Sequence, residues 1–255
     1  MTRAPHNPNA TVTFAGAGPG AAEHLTLGAY RALQAADVVI HDRLVGAEVL
    51  ALIPAHVRRI DVGKEGFGPS TSQDDINAVL VAEALTGLQV VRLKGGDCGI
   101  FGRLDEEIEA LQAAGLSSSI LPGLTSASVA AANIGQSLTR RGRNASLRII
   151  TGHDMAGFAE QDWRGIARKG EVAAIYMGKK SARFIQGRLL MHGADPATEI
   201  TLVENVSRPD QRIVAASLST LAEAAHMLQG PAVILYGLAP RRAAAAIPEL
   251  KEAQA

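Results

Sequence analysis

The feature that most restricts the fold is a regular alternation in the first half of the chain. Short runs of β-favouring residues take turns with stretches of helical composition. The runs are TVTFAGAG (11–18), DVVIHD (37–42), VRRIDVG (57–63), QVVRLKGGD (89–97) and SSSILPG (117–123). Between them lie the helical stretches Leu25–Ala36, Gln73–Leu85 and Asp105–Ala114. In the second of these, Ile76, Val79 and Leu80 share one helical face. Adjacent parallel strands need a long crossover between them, which a helix supplies. The alternation therefore predicts an α/β unit built on a parallel sheet.

The pattern resets after RRGRNAS (140–146), a polar, basic run without periodicity that reads as a linker. Further strands are expected at LRIITG (147–152), EVAAIYMG (171–178), EITLVEN (199–205), QRIVAAS (211–217) and PAVILYG (231–237). Helices are expected at Ser181–His192 and Leu218–Gln229. QRIVAAS follows its neighbour too closely for a helical crossover, so the second sheet should be mixed. The expected organisation is a disordered tail at 1–10, an N-terminal α/β domain at 11–139 and a linker at 140–146. A C-terminal α/β domain then fills 147–240, before an Ala-rich tail at 241–255.

Composition removes several function classes. Apolar residues make up 47% and charged residues 20%, enough for a buried core and too apolar for disorder. Lys+Arg and Asp+Glu both number 25, so there is no basic field of the kind a general nucleic-acid binder needs. Cys98 is the one cysteine, which excludes an intrachain disulfide and argues against a structural zinc site; no metal is expected. The N-terminal residues contain no apolar segment of the secretory type. The uncharged stretch Ala110–Thr139 is broken by Ser117–Ser119, Pro122-Gly123 and Gly135, so it is not a membrane span. These points predict a cytoplasmic protein with no nucleic-acid or membrane partner.

Three strand-end turns carry chemistry. GAGPG (16–20) nearly fits a dinucleotide fingerprint, although Pro19 lacks an N–H; without a ligand it is simply a tight turn. Lys94-Gly95-Gly96-Asp97 offers backbone groups and a carboxylate acceptor, and alone it is an ordinary Gly-Gly-Asp turn. Pro122-Gly123-Leu124-Thr125-Ser126 pairs a turn with two hydroxyls suited to capping the next helix. In a parallel sheet the three turns share one edge. They would then line a single crevice for a small polar ligand such as an adenosyl compound.

Taken in order, GAGPG, DRLV (42–45), VGK (62–64), QDDIN (73–77), RLKGGD (92–97), IFGR (100–103), PGLTSA (122–127), LTRRG (138–142), TGH (151–153), YMG (176–178) and QRIV (211–214) resemble the tetrapyrrole methylases. The match covers residues 11–237, and DRLV with VGK places the chain nearest the members that methylate uroporphyrinogen III. The resemblance implies two α/β domains with a cleft between them, a non-Rossmann S-adenosylmethionine site and a homodimer. It implies methyl transfer to C2 and C7 of uroporphyrinogen III, giving precorrin-2 and S-adenosylhomocysteine on a route to sirohaem, cobalamin or haem d1. Cofactor contacts would fall on Pro19, Gly95, Gly96, Asp97, Ile100, Thr125, Ser126, Met177, Val206 and Ala232. Asp42 and Lys64 would be the proton acceptor and donor. Arg43, Arg140 and Arg141, with Arg143 a weaker candidate, would meet the carboxylates of the macrocycle. At 255 residues, no fused oxidase or ferrochelatase domain is expected.

The sequence departs from the family pattern in several places: His41 stands where a tyrosine usually precedes DRLV, and Glu65-Gly66-Phe67-Gly68 follows VGK where basic residues are more common. Where the family reads GGDP, an aromatic and then FGRGGEE, this chain has Cys98, Gly99 and Leu104-Asp105, which should loosen the loop. Where it reads GIPLTHR, this chain has Gly135-Gln136-Ser137-Leu138-Thr139-Arg140-Arg141. These changes keep two alternatives open: a related methylase with another substrate, and a cofactor-binding homologue with little activity. A Rossmann dehydrogenase is a more distant alternative.

Overall fold

The computed structural model describes residues 12–63, 72–154 and 157–241. The predicted N-terminal tail, Lys64 and nearly all of the C-terminal tail lie outside the described residues.

The first half forms β1 (Val12–Gly16), α1 (Leu27–Gln34), β2 (Val38–His41), α2 (Ala47–Ala51), β3 (Arg58–Asp61), α3 (Gln73–Ala84), β4 (Val90–Lys94), α4 (Leu104–Ala113) and β5 (Ser118–Leu121). All five strands are parallel, in the order β3-β2-β4-β1-β5. A Rossmann sheet places its first two strands side by side. Here β4 separates them, which removes the dehydrogenase alternative. Period-2 alternation sends the strands' side chains to two apolar layers. Val12, Phe14, Val38, Ile40 and Val90 meet Leu80 of α3 and Leu111 of α4. Ala15, Val39, Val91 and Leu93 meet Ala29 and Leu33 of α1 and Val49 of α2. Ser72 starts α3 with a reciprocal capping box to Asp75, which satisfies two backbone donors.

The chain continues with α5 (Ser126–Asn133), β6 (Arg148–Thr151), the two-residue strands β7 (His153–Asp154) and β8 (Gly157–Phe158), and α6 (Trp163–Ile166). It ends with β9 (Ala173–Tyr176), α7 (Ala182–Met191), β10 (Glu199–Glu204), β11 (Arg212–Ser217), α8 (Leu221–His226) and β12 (Ala232–Tyr236). The second sheet has the order β11-β10-β12-β9-β6. It is mixed, as the spacing predicts: β6 and β9 are parallel and the other pairs antiparallel. One face packs on α6, α7 and α8. The other face receives Ala127, Val129, Ala130 and Ala131 of α5, which precedes the basic run 140–146 in sequence. Because α5 begins at the edge of the first sheet and rests on the second, it fixes one sheet against the other.

Candidate functional site

The three predicted turns do meet at the carboxyl edge of the first sheet. Gly18 and Gly96 exchange backbone hydrogen bonds of 3.1 and 2.7 Å. Gly123 lies so close that a Cβ there would sit 2.3 Å from the Gly96 carbonyl oxygen and 2.8 Å from the Gly16 Cα. Only glycine allows three backbones to converge this tightly. Asp97 locks the arrangement: Oδ2 accepts the Gly123 N–H at 2.9 Å and Oδ1 accepts the Gly99 N–H at 2.8 Å. Its carboxylate thus has a structural task that the sequence reading missed.

Cys98 follows in the same loop. It is 1% exposed, and its Sγ lies 3.7 Å from the Leu121 carbonyl oxygen. Its thiol thus contacts the end of β5. Burial, aided by the charge of Asp97, pushes the thiol pKa up, so it stays protonated at neutral pH. Beyond it, Ile100 is half-buried, while Phe101 and Arg103 hold left-handed backbone with φ of 51° and 53°. Non-glycine residues in that conformation cluster at functional loops.

The second sheet contributes to the same edge. Tyr176, at the end of β9, places its ring 5.4 Å from that of Phe101. Its hydroxyl accepts the Ala127 N–H at 2.9 Å and bonds to the Thr125 hydroxyl. Thr125 is the backbone N-cap of α5, but its side chain makes no cap bond, so the tyrosine does the capping predicted for Thr125 and Ser126. The Ser126 hydroxyl lies beside Gly96. Met177 follows with a φ of 52° and its side chain 51% exposed, not buried in the core. Val206 is buried in the loop after β10, with its carbonyl beside Gly20. In that loop, Ser207 Oγ accepts the Ala21 N–H at 2.9 Å, and Arg208 donates to the Leu44 carbonyl at 2.7 Å. Ala232 begins β12 opposite Glu204, next to this loop. Pro19 is buried within the first turn, while Gly95 packs against Leu44.

Asp42, at the end of β2, rests on a buried ion network. Its Oδ1 receives Arg92 Nη2 at 2.6 Å. Arg92 also grips Glu107 of α4 through Nε at 2.9 Å and Nη2 at 3.0 Å. Lys94 Nζ lies 2.5 Å from Glu107 Oε1. Arg92, Lys94 and Glu107 are 1%, 4% and 0% exposed. Burial would lower the Arg92 pKa, but the charges of Asp42 and Glu107 outweigh it and raise the pKa, so the guanidinium stays charged. Two cations and two carboxylates balance, which is the condition for keeping charges out of water. Arg43 is exposed beside Gly63.

Arg140 and Arg141 are exposed on the loop before β6, and no hydrogen bond among the described residues joins either side chain to the crevice. Arg143 is committed to its own loop, donating to the Ser137 carbonyl at 2.7 Å and to Asn144 Oδ1 at 3.0 Å. Burial, with the neighbouring charge of Arg140, pulls its pKa down. The structure therefore gathers the candidate adenosyl contacts, with Asp42 and Arg43 at the same sheet edge. Arg140 and Arg141 are exposed, and no ion pair among the described residues joins them to that edge.

Residues 11–222 match the family Tetrapyrrole (Corrin/Porphyrin) Methylases. The chain belongs to the tetrapyrrole methylase family. A uroporphyrinogen-III C-methyltransferase from Paracoccus denitrificans is 46% identical over 227 residues, covering 88% of this chain and 79% of that protein. A siroheme synthase from Edwardsiella ictaluri is 45% identical over 226 residues, covering 89% of this chain and 49% of that protein. The chain thus spans about half the length of the siroheme synthases it matches. The solved Thermus thermophilus uroporphyrin-III C-methyltransferase, complexed with S-adenosylhomocysteine, superposes with a TM-score of 0.77 at 37% identity. That superposition covers 89% of this chain and 96% of the Thermus chain. No helix among the described residues is long and apolar enough to cross a membrane.

Proposed function

We propose that this chain is an S-adenosylmethionine-dependent C-methyltransferase that methylates C2 and C7 of uroporphyrinogen III to give precorrin-2. The observation that carries the reading is the convergence of Gly95-Gly96-Asp97, Thr125-Ser126 and the half-exposed Met177 beside Asp42 at one sheet edge. The 46% identity to the Paracoccus enzyme supports the choice of substrate.

The residues present suit the adenosyl group. Bare backbone at Gly95 and Gly96 and the two hydroxyls offer hydrogen bonds. Ile100, Met177 and Val206 offer apolar contact, and Pro19 and Ala232 border them. S-adenosylmethionine supplies an electrophilic methyl group on a sulfonium. The chain's task is to hold that group in line with an electron-rich pyrrole carbon, since near-attack geometry carries most of such a displacement. The carbon provides the electron pair for the new C–C bond, and S-adenosylhomocysteine leaves. The macrocycle later gives up a proton. Asp42, fixed by Arg92, is assigned as the acceptor, and Lys64 as the donor. Arg43, Arg140 and Arg141 are assigned to the carboxylates of the macrocycle. We assign the two α/β domains the bounds 11–139 and 147–240, the active form to a homodimer, and the compartment to the cytoplasm.

An anaerobic substrate panel with S-adenosylmethionine, read by mass spectrometry, tests the reading. Methylation of uroporphyrinogen III in preference to later precorrins is expected. Preference for a later precorrin would replace it with the related-methylase alternative.

A further inference from the structure

Tyr176 touches two of the crevice segments at once from the opposite sheet. Its ring lies against Phe101 of the 95–103 loop, with centroids 5.4 Å apart and planes at 53°. Its hydroxyl joins both Thr125 and the Ala127 N–H at the start of α5. Its own backbone leads into Met177, held at a φ of 52°. A helix N-terminus leaves its first N–H groups without intrahelical partners, and the N-cap side chain ordinarily takes one of them. At α5 that duty passes to a residue about fifty positions further along, on another sheet. Burial raises the pKa of the phenol, although its bonds to Thr125 and Ala127 work the other way. The hydroxyl therefore keeps its proton at neutral pH and can donate one bond while accepting another.

We propose that Tyr176 is a positioning residue for the adenosyl site: its hydroxyl and ring set the 95–103 loop, the 122–127 turn and Met177 in register with one another. The inference rests on the cofactor reading above. A ligand crossing these segments meets a preformed surface only while the tyrosine spans them. Without the hydroxyl, the ligand's own binding must order the segments, which weakens affinity without removing a direct contact.

The test is the affinity for S-adenosylhomocysteine by titration calorimetry, in the full chain, for wild type, Tyr176→Phe and Phe101→Leu. Tyr176→Phe keeps the ring and loses the hydroxyl. It should weaken binding about fivefold or more, the scale of one net hydrogen bond, while the melting temperature changes little. Phe101→Leu removes the ring contact, leaves the hydroxyl in place, and should weaken binding about threefold. In turnover, the KM for S-adenosylmethionine should rise for both while kcat holds. Tyr236→Phe, altering a buried tyrosine of the same sheet, should leave affinity at the wild-type value. Folded variants at positions 101 and 176 that both bind within twofold of wild type would overturn the inference. A wild-type chain that binds no S-adenosylhomocysteine would overturn the cofactor reading instead.

Discussion

Among single residues, Glu107 carries the most consequence. It is fully buried and holds both Arg92 and Lys94, so Glu107→Ala leaves two cations facing each other in the interior. Removing one member of a buried ion network costs about 3–5 kcal/mol, which urea denaturation would show as a large fall in midpoint. Cys98 makes a prediction in pH. Its folded pKa is raised, so its contribution to stability is complete below the ordinary thiol value and is lost as pH rises through the raised one. The gap in stability between wild type and Cys98→Ala should therefore shift against wild type as pH goes from neutral to alkaline. A thiol reagent should react slowly with the native chain and quickly in urea. The sequence held a signal for the ion network. Arg92 and Lys94 are two apart in an otherwise apolar strand, so both point to one face and need a partner there. Naming Glu107 as that partner required the packing of α4 on β4, which no local pattern encodes.

At the scale of elements, the strand-end turns behave as one piece. Gly123→Ala would place a Cβ 2.3 Å from the Gly96 oxygen, against backbone that cannot yield. Overpacking of this kind costs about 1–3 kcal/mol, measurable by urea denaturation, and should also abolish S-adenosylhomocysteine binding in calorimetry. The sequence made these turns legible because glycine at a strand end has few other uses. The long strands were legible too, through their β-branched runs. The elements missed were α2, α6 and the β7–β8 pair, at five, four and two-plus-two residues. None is long enough to display a period, and their existence depends on what they pack against. The capping of α5 was misread for a related reason. Thr125 has the right chemistry and position, but a tyrosine from the other sheet competes for its hydroxyl and takes the N–H.

For the whole molecule, the two sheets are joined by α5, by Tyr176 and by the 205–208 loop. Ser207 accepts the Ala21 N–H, and Arg208 reaches the Leu44 carbonyl. Ser207→Ala should cost about 1 kcal/mol of stability by leaving that N–H unpaired, and should weaken S-adenosylhomocysteine binding as well, because the first turn loses its brace. The order of strands and turns along the chain was enough to predict two α/β units and one crevice. It was not enough to predict that α5 would pack on the second sheet, since a run of small apolar residues suits either core. The proposed role of Asp42, on its buried ion network, is to serve methyl transfer to uroporphyrinogen III. The most direct test is an anaerobic incubation of wild type and Asp42→Ala with S-adenosylmethionine and freshly generated uroporphyrinogen III, read by mass spectrometry. Wild type should add two methyl groups, and the gain should be abolished or strongly reduced in the variant. No gain from wild-type protein that binds S-adenosylhomocysteine, or an equal gain from Asp42→Ala, would contradict that role.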